Sequence, residues 1–222
     1  MRLNKYLAAS TSLSRRGADD AIAIGRVTVN GHVAERGTDV SDADIVTLDG
    51  ERIARASEEK QTIMLNKPRG YVVSRNGQGS DTIYDLLPAE YQQLNPVGRL
   101  DKDSSGLLLL TNDGQLAQEL THPSYQKLKV YEAELDKPLQ PLHRQMISDH
   151  GLQLEDGVSK LQLERRADGD DRRWTIVMRE GRNRQIRRTF AALGYNVIDL
   201  HRTQFGEYTL TPQLTPGHHH VI

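Results

Sequence analysis

The apolar positions of this 222-residue chain change rhythm along its length. Near the N-terminus Leu3, Leu7 and Ala8 recur at helical spacing. Ala18, Ala21 and Ile22, with Ile24, give the apolar side of a second short helix that Ser14 caps and Gly25 stops. The period then becomes two. Residues 26–30 alternate into an Asn30-Gly31 turn, a strong hairpin signal; Val33 begins the return, and 45–48 form another strand before Asp49-Gly50. These elements predict a small α/β module over residues 1–48. Residues 49–60 are charged and poor in large apolar side chains, which predicts a mobile linker.

From residue 61 onward the pattern is of many short elements. Strands are predicted over 62–68, with 71–74 continuing the sheet, and over 107–110, 128–135 and 174–178, with shorter ones around Leu152, Leu154, Leu161 and Leu163 and at 197–200, 204–210 and Leu214. Short helices are predicted over 82–87, 115–120 and 142–147, and a further one from the arginine-rich 182–190 to Leu193, with Ile186, Phe190 and Leu193 as its stripe. Residues 75–81 read as a loop and 167–171 as a polar hairpin tip. Without regular βαβ alternation the class is α+β: a mixed or antiparallel central sheet flanked by short helices, over residues 61–222.

One stretch, 98–106, organises this larger part. Gly98 and Gly106 bracket the polar run Arg99-Leu100-Asp101-Lys102-Asp103-Ser104-Ser105, and the buried strand of Leu107 to Leu110 follows. A polar loop supported by a core strand is how a reactive side chain is held in place, since a misplacement of roughly 1 Å can cost about 100-fold in rate. Asp101 is the candidate carboxylate. By local sequence alone Asp101 and Asp103 read equally well as turn or capping residues.

Composition narrows the chemistry. The chain has no cysteine, which excludes disulfides, thiolate metal sites and a thiol nucleophile, and suits a cytoplasmic protein. No apolar run approaches the roughly 18 residues of a membrane span, and no signal-peptide apolar segment is present, so no membrane partner is expected. Neither GxGxxG nor GxxxxGK[ST] occurs. The formal charge is −1, so any nucleic-acid partner must be argued from where the cations lie. Arg15 and Arg16 stand at a helix start, where the helix dipole disfavours cations, which hints at an external anion. Arg182, Arg184, Arg187 and Arg188 fall within seven residues with few acids beside them in sequence, and read as an anion site. His218-His219-His220 reads as incidental, and no metal is expected.

Two resemblances are carried by these blocks. Arg2-Leu3-Asn4-Lys5-Tyr6-Leu7, Ser14-Arg15-Arg16 and 25–31 (GRVTVNG) together resemble the S4 RNA-binding domain. That implies a basic face of Arg2, Lys5, Arg15, Arg16 and Arg26 against RNA, where clustered cations release counterions from phosphates. Asn66-Lys67-Pro68-Arg69-Gly70, the central 98–107, 129–135 (KVYEAEL) and 180–188 (EGRNRQIRR) occur in the order and spacing that resemble the RsuA-type bacterial ribosomal RNA pseudouridine synthases, which carry an S4 domain ahead of the catalytic one.

The resemblance implies that a uridine of ribosomal RNA is isomerised in place, with no cofactor and no metal. It places the catalytic aspartate at Asp101, acting at C1′ as nucleophile or by stabilising a glycal. It makes Tyr131 the group stacked on the base and able to take a proton. It also makes Arg187 the cation paired with Asp101, which would keep that carboxylate ionised. Arg99 is implied to fill the space left by the extruded base, and Lys67, Arg182 and Arg184 are phosphate contacts; Asp103 supports the loop. Structured ribosomal RNA or an assembly intermediate is the expected partner, and the chain is expected to act as a monomer. The competing readings are a non-catalytic S4-type RNA-binding or assembly protein, and a hydrolase using Asp101 and Asp103 as paired carboxylates. Two residues of separation in a tight loop do not assure the spacing that glycosidases need.

Overall fold

The N-terminal helical spacing produces α1 (Leu3–Ser10) and α2 (Arg15–Ala23) in the computed structural model, which describes residues 1–55, 59–166 and 169–222. The Ser14 hydroxyl accepts the Gly17 N–H at 3.0 Å, satisfying a donor that the first turn of α2 leaves open. Strands β1 (Val27–Val29), β2 (His32–Val33), β3 (Val46–Leu48) and β4 (Glu51–Arg52) form an antiparallel sheet in the order β2-β1-β3-β4. The β1–β2 turn works because Asn30 and Gly31 both take positive φ, 53° and 83°, the backbone whose twist matches a two-residue hairpin. Leu3, Leu7, Ala18, Ile22, Val27 and Val46 close the core of this unit.

Chain contacts divide between Lys60 and Gln61. The expected linker starts later than its composition suggests. Glu51–Arg52 pair with β3, and the Ile53 carbonyl accepts the Tyr6 hydroxyl at 3.0 Å, so these residues are built into the first unit. Residues 56–58 of the linker, and 167–168 of the predicted hairpin tip, lie outside the described residues.

The second unit is a mixed sheet built from β5 (Thr62–Lys67), β6 (Asn95–Pro96), β7 (Ser105–Thr111), β8 (Lys129–Leu135), β11 (Gln162–Arg165), β12 (Arg173–Met178), β13 (Val197–Phe205), β14 (Tyr208–Thr209) and β15 (His219–Val221). A separate hairpin pairs β9 (Leu152–Leu154) with β10 (Gly157–Ser159). The main path runs β11-β12-β8-β13-β7-β5-β15, with β14 beside β13 and β6 beside β7; among these strands, over the described residues, β13 and β7 pair in parallel and the other pairs are antiparallel. Helices α3 (Gly114–Thr121), α4 (Pro141–Gln145) and α5 (Gln185–Ala191) are short.

The four leucines after the central loop explain this architecture. Leu108 and Leu110 pack into one core with Ile63, Ile83 and Phe190, while Leu107 and Leu109 pack into another with Met64, Val97, Leu120 and Phe205. Successive strand residues face opposite sides, so a continuous apolar run is stable only where both faces are covered. All four side chains are fully buried, each contributing roughly 1.5–3 kcal/mol of transfer free energy.

Several predicted elements take a different form. Residues 71–74 do not continue β5; Val72 makes a lone bridge to Thr82. The helix at 82–87 is a single 3₁₀ turn, Ile83–Leu86, with Asp85 bonded back to Thr82. The one at 142–147 is α4 running into a π-helical turn, Met146–His150. Residues 197–210 form one nine-residue strand that turns at Gly206 into β14. The C-terminal histidines, read as incidental, supply an edge strand: His219 and His220 pair with Leu65 and Met64 of β5.

Candidate active site

Asp101 sits in the turn between β6 and β7, where the backbone is pinned from below. Lys67 is fully buried, and its ammonium donates to the carbonyls of Asp101 (3.1 Å), Ser104 (2.7 Å) and Pro68 (3.1 Å). The Ser104 N–H also donates to the Asp101 carbonyl, and the Gly70 N–H to that of Lys102. The expected phosphate contact at Lys67 is therefore corrected. Its position in β5 buries the side chain under the loop, where it fixes the carbonyls around Asp101.

Burial pushes the Lys67 amine from its ordinary 10.5 down to about 8, against the opposing pull of Asp101 and Asp103. Between those values the unfolded chain binds more protons than the folded one, so this group makes stability rise with pH from about 8 to 10.5. Comparing urea denaturation of wild type and Lys67→Met across that range should show the wild type gaining relative to the variant as pH rises. A constant difference would mean that Lys67 does not titrate in the window.

The arginine-rich segment closes the site from the other side. Helix α5 begins at Gln185, not at Arg182, because Arg184 takes a left-handed backbone, φ 46°. That kink aims Arg184 back over the loop. Its guanidinium bonds both carboxylate oxygens of Asp103 at 3.1 Å and lies 3.5 Å from Asp101. Arg187 donates to the carbonyls of Val197 (2.6 Å) and Asp103 (3.0 Å), and its Nε is 3.3 Å from the Asp103 carboxylate. The cation in contact with Asp101 is thus Arg184, where a direct pair with Arg187 was expected. Arg187 acts on Asp101 through the field only, because the Val197 and Asp103 carbonyls and the Ser104 hydroxyl take its terminal donors. Paired with Arg184, the Asp103 carboxyl is held below its usual range.

The acids that balance the cluster are remote in sequence. Arg182 donates to the Asp156 carboxylate (2.9 Å) and to the carbonyls of Gly157 and Val158, and Arg188 to Asp156 (2.6 Å). Arg182 was expected at a phosphate; it is instead the brace of the β9–β10 hairpin, because the hairpin turn places acceptors against both of its terminal nitrogens.

These groups line one cleft of about 850 Å³, within the range of small-ligand sites. Asp101, Tyr131, Arg187, Arg99, Arg182 and Arg184 all line it; Lys67 does not. Asp101 keeps about a third of its side chain exposed there, 32%. Tyr131 lies on β8 opposite Arg202 of β13, and Arg99 is exposed at the rim. Lys129 and Arg202 also line the cleft. Sequence reading had no role for them, since a lone basic residue in a strand carries no signal until its neighbours are known. Among the described residues no group of acids and histidines could hold a metal.

In the N-terminal unit the five expected RNA-facing cations divide. Lys5, Arg15 and Arg16 are exposed and make no salt bridge among the described residues. Arg2 bonds the Gly37 carbonyl and lies 3.4 Å from Asp39, and Arg26 forms a two-pronged pair with Asp49. Those two surface pairs compete with any phosphate.

Comparison with known proteins places this geometry. The family described as RNA pseudouridylate synthase matches residues 61–192, and the S4 domain matches residues 1–46. The chain is 37% identical to "Ribosomal large subunit pseudouridine synthase B" of Xanthomonas campestris pv. campestris over 97% of its own length, but spans only 46% of that protein. It is 36% identical to "Ribosomal small subunit pseudouridine synthase A" of Pasteurella multocida, covering 100% of this chain and 96% of that one. A crystal structure described as that of a pseudouridylate synthase superposes with a TM-score of 0.71 at 32% identity, covering 100% of this chain and 96% of the other.

Proposed function

This chain belongs to the RNA pseudouridylate synthase family, with an S4 domain ahead of the synthase unit, and from that premise we propose that it converts a specific uridine of ribosomal RNA to pseudouridine. The observation that carries the reading is a partly exposed carboxylate, Asp101, at the floor of a cation-rich cleft that Tyr131 also lines.

The reaction needs no redox step and no group donor. A stacked uridine must leave the RNA helix before a carboxylate can reach it. The exposed guanidinium of Arg99 at the rim can stack on the neighbouring bases, filling the gap. Asp101 then acts at C1′, either bonding to it or taking the C2′ proton to give a glycal, and the C1′–N1 bond breaks. Tyr131, inside the same cleft, stacks on the free base as it turns. The C5–C1′ bond forms, and the proton lost from C5 ends on N1. Arg184 at 3.5 Å and the nearby Arg187 guanidinium set positive charge beside the Asp101 carboxylate for this step.

Ribosomal RNA is the partner this reading requires, free or in an assembly intermediate, with the enzyme acting as a cytoplasmic monomer. Among the described residues no helix is long and apolar enough to cross a membrane. The small- and large-subunit RNAs remain equal candidates, since relatives named for both match at 36–37% identity. The test is pseudouridine mapping of both ribosomal RNAs from a strain lacking the gene. One lost site, restored by the wild-type gene, supports the reading; no lost site favours a non-catalytic S4-type RNA-binding protein.

The three unpaired cations of the S4 unit supply the sequence-independent share of affinity. Replacing Lys5, Arg15 and Arg16 together by Ala should weaken binding to ribosomal RNA fragments and reduce the slope of log K against log salt by roughly 2–3. An unchanged salt slope in a titration series would remove this face from the RNA interface.

A further inference from the structure

Arg202 is buried to 2% exposure in the wall of the cleft, and none of its contacts is to a carboxylate among the described residues. Its Nε donates to the Leu107 carbonyl at 2.8 Å, and its guanidinium carbon lies 4.7 Å from the Phe205 ring centroid. Its Nη2 has no hydrogen-bond acceptor. A buried charged donor left unmatched is costly unless something completes it. Among the described residues Arg182 and Arg187 each leave a buried Nε without a hydrogen-bond partner, but their terminal nitrogens are taken up, by Asp156 and by Val197 and Asp103; in Arg202 it is a terminal nitrogen that is left over.

A second cation stands beside it. The Lys129 ammonium lies 5.3 Å from the same Phe205 ring, and burial together with the Arg202 charge pushes its pKa down. Two cations share one aromatic neighbour, and neither makes a salt bridge among the described residues. Both are on strands flanking the candidate base-binding side chain: Lys129 two residues from Tyr131 on β8, and Arg202 opposite Tyr131 on β13. Like charges so placed repel, and an anionic ligand that enters between them relieves the cost.

We infer that Arg202, with Lys129, is the electrostatic partner of the detached base: it takes the uracil oxygen on which negative charge gathers when the C1′–N1 bond breaks. The assignment rests on the synthase reading above. In either course at C1′ the electron pair of that bond leaves with the base and spreads over O2 and O4. The charge is neutralised again when C5 bonds to C1′ and the C5 proton passes to N1. Fixed, desolvated donors aimed where charge develops act on the transition state far more than on the neutral uridine. The depth of Arg202 favours the base over a backbone phosphate, which exposed cations such as Arg99 meet at the rim.

The test uses leaving-group dependence. Transcripts of the ribosomal RNA segment around the mapped site are made with uridine or with 5-fluorouridine, whose ring fluorine makes the departing anion easier to form. Loss of the N-glycoside is followed in single turnovers by nuclease digestion and chromatography. Arg202→Gln should slow the uridine transcript by about 10²–10³-fold, as loss of an oxyanion donor does. The defect should shrink at least about tenfold on 5-fluorouridine, with RNA affinity within about twofold of wild type. Equal slowing on both transcripts would make Arg202 a structural brace of Leu107 and overturn the assignment. So would weaker RNA binding at an unchanged single-turnover rate, the signature of a phosphate contact, or an unchanged rate on both. If Arg202→Gln does not fold, Lys129→Gln carries the same comparison with the Arg202–Leu107 bond intact. An inactive wild type would overturn the synthase reading itself, and this assignment with it.

Discussion

Asp101→Asn should lose pseudouridine formation by at least about 10⁴-fold while binding ribosomal RNA as the wild type does, because removal of an acting nucleophile leaves only binding and positioning. The substitution is nearly isosteric. The features that hold the loop, Lys67 on the Asp101 carbonyl and the Ser104 N–H on the same oxygen, involve the backbone and survive it. Among the described residues the side-chain partner lost is the 3.5 Å contact with Arg184, on a group one-third exposed, which is worth little to folding. Stability and affinity are therefore controls, and the loss falls on chemistry. In a strain lacking the gene, a plasmid with Asp101→Asn should fail to restore the missing modification although the protein accumulates to wild-type level. Full restoration would return Asp101 to a turn residue and leave an RNA-binding protein as the better account.

The second large effect is structural and reaches the site indirectly. Gly106→Ala should destabilise the synthase unit by about 3 kcal/mol or more, from backbone strain of roughly 1–3 kcal/mol and overpacking of similar size. Gly106 has φ +105°, and a Cβ there would fall 2.3 Å from the Arg202 carbonyl oxygen and 2.6 Å from its nitrogen. Neither atom can swing away, since both belong to the β13 backbone where it pairs in parallel with β7. A control separates strain from clash. Gly70 has φ +94° with open space around its missing Cβ, so Gly70→Ala carries the strain alone. Urea midpoints for the two variants should differ clearly, with Gly106→Ala the lower. Equal midpoints would show that the close approach to Arg202 is not a constraint. Because the same crossing carries the Asp101 loop on one strand and Arg202 on the other, any surviving Gly106→Ala protein should also be impaired in turnover.

All three functional side chains named from sequence line the cleft, and one of them, Arg187, has other partners than expected. Asp101 and Tyr131 belong to motifs whose elements form as predicted, a loop before a buried strand and an alternating strand. Arg187 lies on the predicted helix, yet its donors go to Asp103 and Val197, and Arg184 takes the contact with Asp101. A left-handed residue at 184 decides this, and nothing in an arginine-rich run announces one. Asp103, read as a loop support, proves to be the clamp for both guanidiniums. Arg184, Arg187 and Arg188 do not share one helical face, because Arg184 stands outside the helix.

By itself the sequence determined what depends on local physics. Helical spacing, the Ser14 cap, the Asn30-Gly31 turn and the Leu107 to Leu110 run each specify their element through contacts within a few residues. The ordered motifs specify the family. Tertiary structure decided whatever depends on partners distant along the chain. Lys67 looks like a surface cation until β5 places it under the loop 34 residues on, where burial converts it to a brace. Arg182 and Arg188 look unbalanced until the hairpin turn brings Asp156 to them. Arg202 looks ordinary until the pairing of β13 with β7 and β8 buries it beside Tyr131 with a donor unmatched. The energy of a charge is set by its surroundings, and for a buried side chain those surroundings are assembled only when remote strands meet.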